Sequence, residues 1–149
     1  LKHGCSDADE EQMQKILACS QADFVNSLPG GLSYRASQGG TNFSGGQRQR
    51  LSIARALMKP AELYIFDDSF SALDFKTDAA LRKALQKETK DSAVLIIAQR
   101  ISTIMHADQI IVLENGKIAG SGTHRQLLDN CRIYREIAES QMKGETLYG

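Results

Sequence analysis

Tryptophan is absent from this sequence, proline occurs twice, cysteine three times, and aromatic residues make up 6% of the 149 positions. Charge of one sign is missing too, because 18 Lys and Arg face 18 Asp and Glu. A chain with zero net charge has no bulk electrostatic reason to bind nucleic acid, and no nucleic-acid partner is expected. Cys5, Cys19 and Cys131 are odd in number and lack C-x-x-C or zinc-ligand spacing. That argues against a disulfide framework or structural metal site and fits a reducing, cytoplasmic setting. The longest strongly apolar run, Ala93 to Ala98, falls far short of the roughly 18 residues of a membrane span. The chain is therefore expected to be soluble and not to cross a bilayer by itself. No basic segment followed by an apolar run succeeds Leu1, so neither a signal peptide nor a natural start is visible. The chain reads as a piece of something longer.

What is present suits one packed domain: hydrophobic residues reach 42%, and the pairing of low hydrophobicity with high net charge that keeps chains unfolded does not occur. From Ser6 to Ser20, a capping candidate and four acids precede Met13, Ile16 and Leu17, as at a helix N-terminus. A second short helical stretch, Ala22 to Leu28, should stop at Pro29-Gly30-Gly31 and open a loop to Gly40. Gln47 to Lys59 holds no glycine or proline and carries Leu51, Ile53, Ala54, Leu57 and Met58, which predicts a long helix closed by Pro60.

Beyond Pro60 the pattern changes. Leu63 to Phe66 is strand-like and ends in Asp67 and Asp68, and Ala93 to Ala98 is a second such run. Between them Asp74 to Thr89 has helical spacing, so the unit is strand, helix, strand with a right-handed crossover. Continuous apolar strands imply a parallel sheet covered on both faces. Ile110 to Leu113, then Asn115-Gly116, then Lys117 to Ala119 spell a two-residue hairpin, so the sheet should end in an antiparallel pair. Thr123 should cap one helix, and Cys131 to Met142 should form another.

Two stretches carry chemistry on physical grounds. Ser44-Gly45-Gly46 opens a helix whose first amides are unpaired, and the glycines let a phosphate approach the backbone. Arg48, Arg50, Arg55 and Lys59 follow with no acid between Ser44 and Pro60, so an anion is expected there. Alone, the same residues read equally as a flexible loop and a solvated basic face. Asp67 stands at the carboxyl end of a buried strand, where open α/β sheets place ligands, although an Asp also commonly starts a turn. Asp74 is placed to cap the helix after it. His106 and His124 are given structural or surface roles.

Four ordered stretches, Asn42 to Gln47, Ile65 to Asp68, Ser71 to Asp74 and Ala98 to Arg100, resemble the nucleotide-binding domain of ABC transporters across essentially the whole chain. The resemblance implies an α/β fold: a partial P-loop NTPase, with a helical subdomain in residues 1–60, the C-terminal part of the parallel-sheet core in 61–142 and a flexible tail in 143–149. It implies ATP and Mg²⁺ as cofactors. Ser44, Gly45, Gly46 and Gln47 then form the signature motif, Asp67 is the Walker B carboxylate holding Mg²⁺ through water, and Asp74 closes the D-loop. Asp68 stands where the family usually has a catalytic Glu, and Gln99 where it usually has the switch His. A carboxylate about 1 Å shorter and a side chain that carries no proton near neutral pH both weaken one site. Phe70 stands where Thr is common, and Gln38-Gly39-Gly40-Thr41 where Glu-Arg-Gly more often precedes the signature. This pattern resembles the degenerate-site subunit of a heterodimeric exporter, which supplies an intact signature to its partner's ATP site.

The implied partners are a second nucleotide-binding domain and a transmembrane domain of the same chain, with the ATPase at the cytoplasmic face of the membrane. No G-x-x-x-x-G-K-[ST] occurs, so these residues alone are not expected to hydrolyse ATP. The incomplete sheet leaves an edge open to association. Two other readings remain: a soluble ABC-type ATPase of DNA repair, chromosome organisation or translation, and an inert structural piece.

Overall fold

The computed structural model describes Leu1 and residues 8–141. Cys5, the capping candidate Ser6, the end of the last helix at Met142 and the tail at 143–149 lie outside the described residues. Contacts divide the chain into two compact units, one up to Ile97 and one from Ala98 on.

In the first unit, α1 (Glu10–Cys19) is capped by Asp9, whose carboxylate accepts from the Gln12 amide at 2.7 Å, with Glu10 and Glu11 in the first turn. It ends in a Schellman turn. Gln21 takes the left-handed conformation that glycine usually fills, and the Ala22 amide reaches back to the Leu17 carbonyl at 2.7 Å. The expected second helix is a 3₁₀ segment, Asp23–Ser27, and two further 3₁₀ turns, Gly31–Ser33 and Gln38–Gly40, interrupt the expected loop. Helix α2 (Gly45–Leu57) begins two residues before the expected start, because a Ser44 cap draws both glycines into the first turn. Met13, Ile16 and Leu17 of α1 pack with Ile53, Ala54 and Leu57 of α2 in one core that Leu81 and Leu85 of α3 (Phe75–Glu88) complete.

Strands β1 (Leu63–Asp67) and β2 (Ala93–Ile97) pair in parallel, Leu63 opposite Ala93 and Asp67 opposite Ile97, as expected of two strands joined by a helix. The expectation that both faces are covered is overturned. Tyr64, Phe66 and Ile96 face the core, whereas Leu63, Ile65, Leu95 and Ile97 share the other face, with Ile65 58% exposed. Among the described residues of this unit no layer packs there, because α1, α2 and α3 all enter the one core on the opposite side. Apolar strand composition records burial in the finished molecule and not which segment provides it.

In the second unit, α4 (Ile101–Ile104) is a single turn that the sequence pattern did not signal. Strands β3 (Ile110–Glu114) and β4 (Lys117–Gly122) form the expected hairpin over Asn115-Gly116, both residues at positive φ, with a bulge after Val112. This hairpin is a sheet of its own and does not end the parallel one. A hairpin satisfies its inner hydrogen bonds locally and needs no third strand to define its register. Helix α5 (His124–Asn130) has a capping box between Thr123 and Gln126, and α6 (Arg132–Gln141) follows. Ile110, Val112, Leu127, Leu128, Tyr134 and Ala138 form the second core. Among the described residues no helix is long and apolar enough to cross a membrane.

Candidate functional site

The glycine-rich start of α2 is fixed from both sides. Ser44 Oγ accepts from the Gln47 amide at 3.2 Å while Gln47 Oε1 accepts from the Ser44 amide at 2.9 Å, a reciprocal capping box. The Arg48 amide bonds the Ser44 carbonyl, so the amides of Gly45 and Gly46 are left as open donors among the described residues. No acid stands in this first turn. Of the expected basic residues, Arg48 bonds the Phe43 carbonyl at 2.7 Å. Arg50 is turned to a structural task, donating to the Gln21 carbonyl at 2.6 Å with its guanidinium 4.9 Å from the Phe24 ring centre. Arg55 and Lys59 are exposed.

Asp67 ends β1 with an exposed side chain. Its neighbour Asp68 turns the chain through the left-handed region at φ +47°, a conformation that Asp tolerates better than most residues. The Asp68 amide still bonds Ile97 of β2 at 3.0 Å, and Ser71 Oγ lies 3.0 Å from Asp68 Oδ2. Phe70 is buried at the base of this loop, edge-on to Phe66 at 5.9 Å, and so anchors the loop in the core. Asp74 caps α3: one carboxylate oxygen accepts from the Thr77 amide at 2.9 Å and the other from Thr77 Oγ1 at 2.7 Å. Those two bonds hold its carboxyl below the usual carboxylate range.

These segments meet. A Cβ added to Gly46 would lie 3.0 Å from the Ala72 carbonyl oxygen, and one on Gly45 3.5 Å from the Ala72 side chain. The link that the sequence did not flag is Gln49, whose amide bonds Asp68, Ser71 and Ala72. Its signal was its place four residues after Gly45, on the same face of α2. The structure therefore brings Ser44, Gly45, Gly46 and Gln47 together with the loop that carries Asp68 and Asp74.

Gln99 belongs to the second unit. Its side chain is exposed, while its carbonyl accepts from Gln141 at 2.8 Å. His124 is buried, with Nδ1 2.7 Å from the Tyr134 hydroxyl, which makes its role structural; His106 is exposed.

A family model described as ABC transporter matches residues 6–71. Over 141 residues, 94% of the chain, the sequence is 48% identical to an uncharacterized ABC transporter ATP-binding protein of Mycobacterium tuberculosis, covering 24% of that protein. It is 43% identical over 144 residues to a probable multidrug resistance ABC transporter ATP-binding/permease protein of Bacillus subtilis, 95% of this chain and 24% of the other. It is 41% identical over 145 residues to an ATP-dependent lipid A-core flippase of Legionella pneumophila, 97% of this chain and 25% of the other. The chain thus spans about a quarter of the length of the curated relatives it matches. A solved structure of a bacterial Atm1-family ABC exporter with ATP bound superposes with a TM-score of 0.89 at 32% identity, over 94% of this chain and 25% of that one.

Proposed function

Because the chain belongs to the ABC transporter family, we propose that it is part of the ATP-binding subunit of an export transporter, a translocase that couples ATP hydrolysis to transmembrane transport. Residues 1–60 serve as the helical subdomain and 61–142 as the second part of the ATPase core, followed by the tail at 143–149. The observation that carries this reading is the pair of open amides at Gly45 and Gly46, on a capped helix seated against the loop after β1. That surface suits a phosphate oxygen: fixed N–H donors, the positive end of a helix dipole and no competing acid. The multidrug and flippase relatives and the exporter neighbour support export over the soluble repair or translation ATPases.

In this proposal Ser44, Gly45, Gly46 and Gln47 bind the terminal phosphate of an ATP held mainly by a second nucleotide-binding domain. Asp67 has an exposed carboxylate at a strand end, which fits a water-mediated contact to Mg²⁺. Bound Mg²⁺ would supply neutralisation of the phosphate charge. Asp68 sits where the attacking water is to be polarised, but its short carboxylate is turned onto Ser71. Gln99 donates a hydrogen bond but takes up no proton. The chain's own site is thereby weakened while it supplies a competent clamp to its partner, the division of labour of a heterodimer. The turn at Gln38–Gly40, with Gly39 and Gly40 at positive φ, presents no acid and is assigned to the face toward the transmembrane domain of the same chain. The whole assembly would stand at the cytoplasmic face of the membrane.

The test compares Mg-ATP hydrolysis by the full-length protein alone and with its partner domain. Substantial turnover is expected only in the pair, falling about a hundredfold or more when Ser44 and Gly45 are replaced by Glu. Strong turnover by the protein alone refutes the degenerate-site assignment. An unchanged rate in the substituted pair refutes the phosphate clamp.

A further inference from the structure

We infer that Gln49 is a positioning residue: its side-chain amide latches the loop at 68–72 to the glycine-rich start of α2, so that the phosphate-facing amides and the strand-end carboxylate keep one mutual geometry.

The amide spends both of its donors and one acceptor position on that loop. Nε2 donates to the Asp68 carbonyl and to Ser71 Oγ, each at 2.9 Å, and Oε1 accepts from the Ala72 amide at 2.9 Å. Ser71 Oγ passes the contact on to Asp68 Oδ2 at 3.0 Å, so the chain of bonds runs from the middle of α2 to a carboxylate. The loop needs an outside hold. It leaves β1 through a left-handed Asp68, a conformation that persists when surrounding contacts over-determine it. Only one kind of side chain does this work at this length. Glu offers no donor, Lys no acceptor, and Asn reaches one methylene less far. Gly45 and Gly46 complete the seat by letting α2 approach Ala72 within van der Waals distance. A shift of α2 therefore carries the loop with it, and a displaced loop moves the two amides.

The catalytic part of this inference rests on the ATPase reading above, so its test has two readouts. In the full-length protein paired with its partner domain, Gln49→Met keeps the length of the side chain and removes all three bonds. Hydrogen exchange at the Ala72 amide should accelerate about tenfold, exchange in the α1 core should stay unchanged, and kcat for Mg-ATP should fall at least about tenfold with KM held within about twofold. Gln49→Glu keeps the acceptor for Ala72. It also sets a carboxylate oxygen against the Asp68 carbonyl, so Ala72 exchange should stay fast and kcat as low as in Gln49→Met. The latch is overturned if Ala72 exchange is the same in Gln49→Met and wild type. Its positioning role is overturned if Ala72 exchange accelerates and kcat does not change, or if KM rises in proportion to any fall in kcat. A wild-type pair that hydrolyses no ATP overturns the ATPase reading and the catalytic part with it, whereas Ala72 exchange still decides the latch.

Discussion

The side-chain amide of Gln141 donates to the Gln99 carbonyl at 2.8 Å and also accepts from the Ile101 amide at 2.9 Å. The last described residue of α6 thus closes on the loop that leads into α4, about forty positions earlier. A single glutamine holds both sides of a loop in each compact unit, Gln49 in the first and Gln141 in the second. Donor and acceptor on one short side chain make this residue suited to the task.

Removing the second of these contacts should loosen the loop that carries Gln99. Gln141→Met is expected to lower stability by about 1 kcal/mol and to speed exchange of the Ile101 amide, with the hairpin amides of β3 and β4 unaffected. Chemical denaturation together with residue-resolved exchange checks this. Equal exchange at Ile101 in both proteins refutes it.

The two glycines of α2 should differ in tolerance. Alanine at Gly45 meets the Ala72 side chain at an ordinary 3.5 Å, whereas at Gly46 it meets a backbone oxygen at 3.0 Å. Gly46→Ala is therefore expected to unfold at lower temperature than Gly45→Ala, by the equivalent of about 1 kcal/mol. Melting temperatures of the two variants, measured side by side, decide the order.

Asp78 is buried, with Oδ2 held by Arg82 at 3.1 Å and Oδ1 without a partner among the described residues. Arg82→Met should cost about 3 kcal/mol, because it strands a desolvated carboxylate. Changing both residues to apolar ones of similar size should cost less than Arg82→Met alone. A double-mutant cycle by denaturant unfolding measures the difference.

Burial pushes the Tyr134 phenol up to about 12. Its folded value lies above its unfolded value, so its contribution to stability is complete below the ordinary phenol range, near pH 10, and is lost as pH rises toward 12. The second unit should weaken over that window. Absorbance titration should show one tyrosine ionising late, and Tyr134→Phe should remove that step while also breaking the contact to His124 Nδ1.

Local patterns in the sequence determined much of this protein. The Ser44 cap and the helix after it, the two apolar runs joined by a helix, the Asn115-Gly116 hairpin and the Thr123 cap each rest on interactions spanning a few residues, so composition and spacing suffice to read them. The ordered stretches around Ser44, Asp67, Asp74 and Gln99 likewise carried the family resemblance without coordinates. Tertiary structure alone decided the rest. It turned Arg50 onto Gln21 and Phe24, buried Phe70 beside Phe66, set Gln49 across the loop after β1, and covered the parallel pair on one face and not the other. The Arg50 and Gln49 contacts depend on partners about twenty or more residues away, the burial of Phe70 on the core assembled around it, and the uncovered face on which segments supply a second layer; no periodicity of 3.6 or 2 encodes those choices.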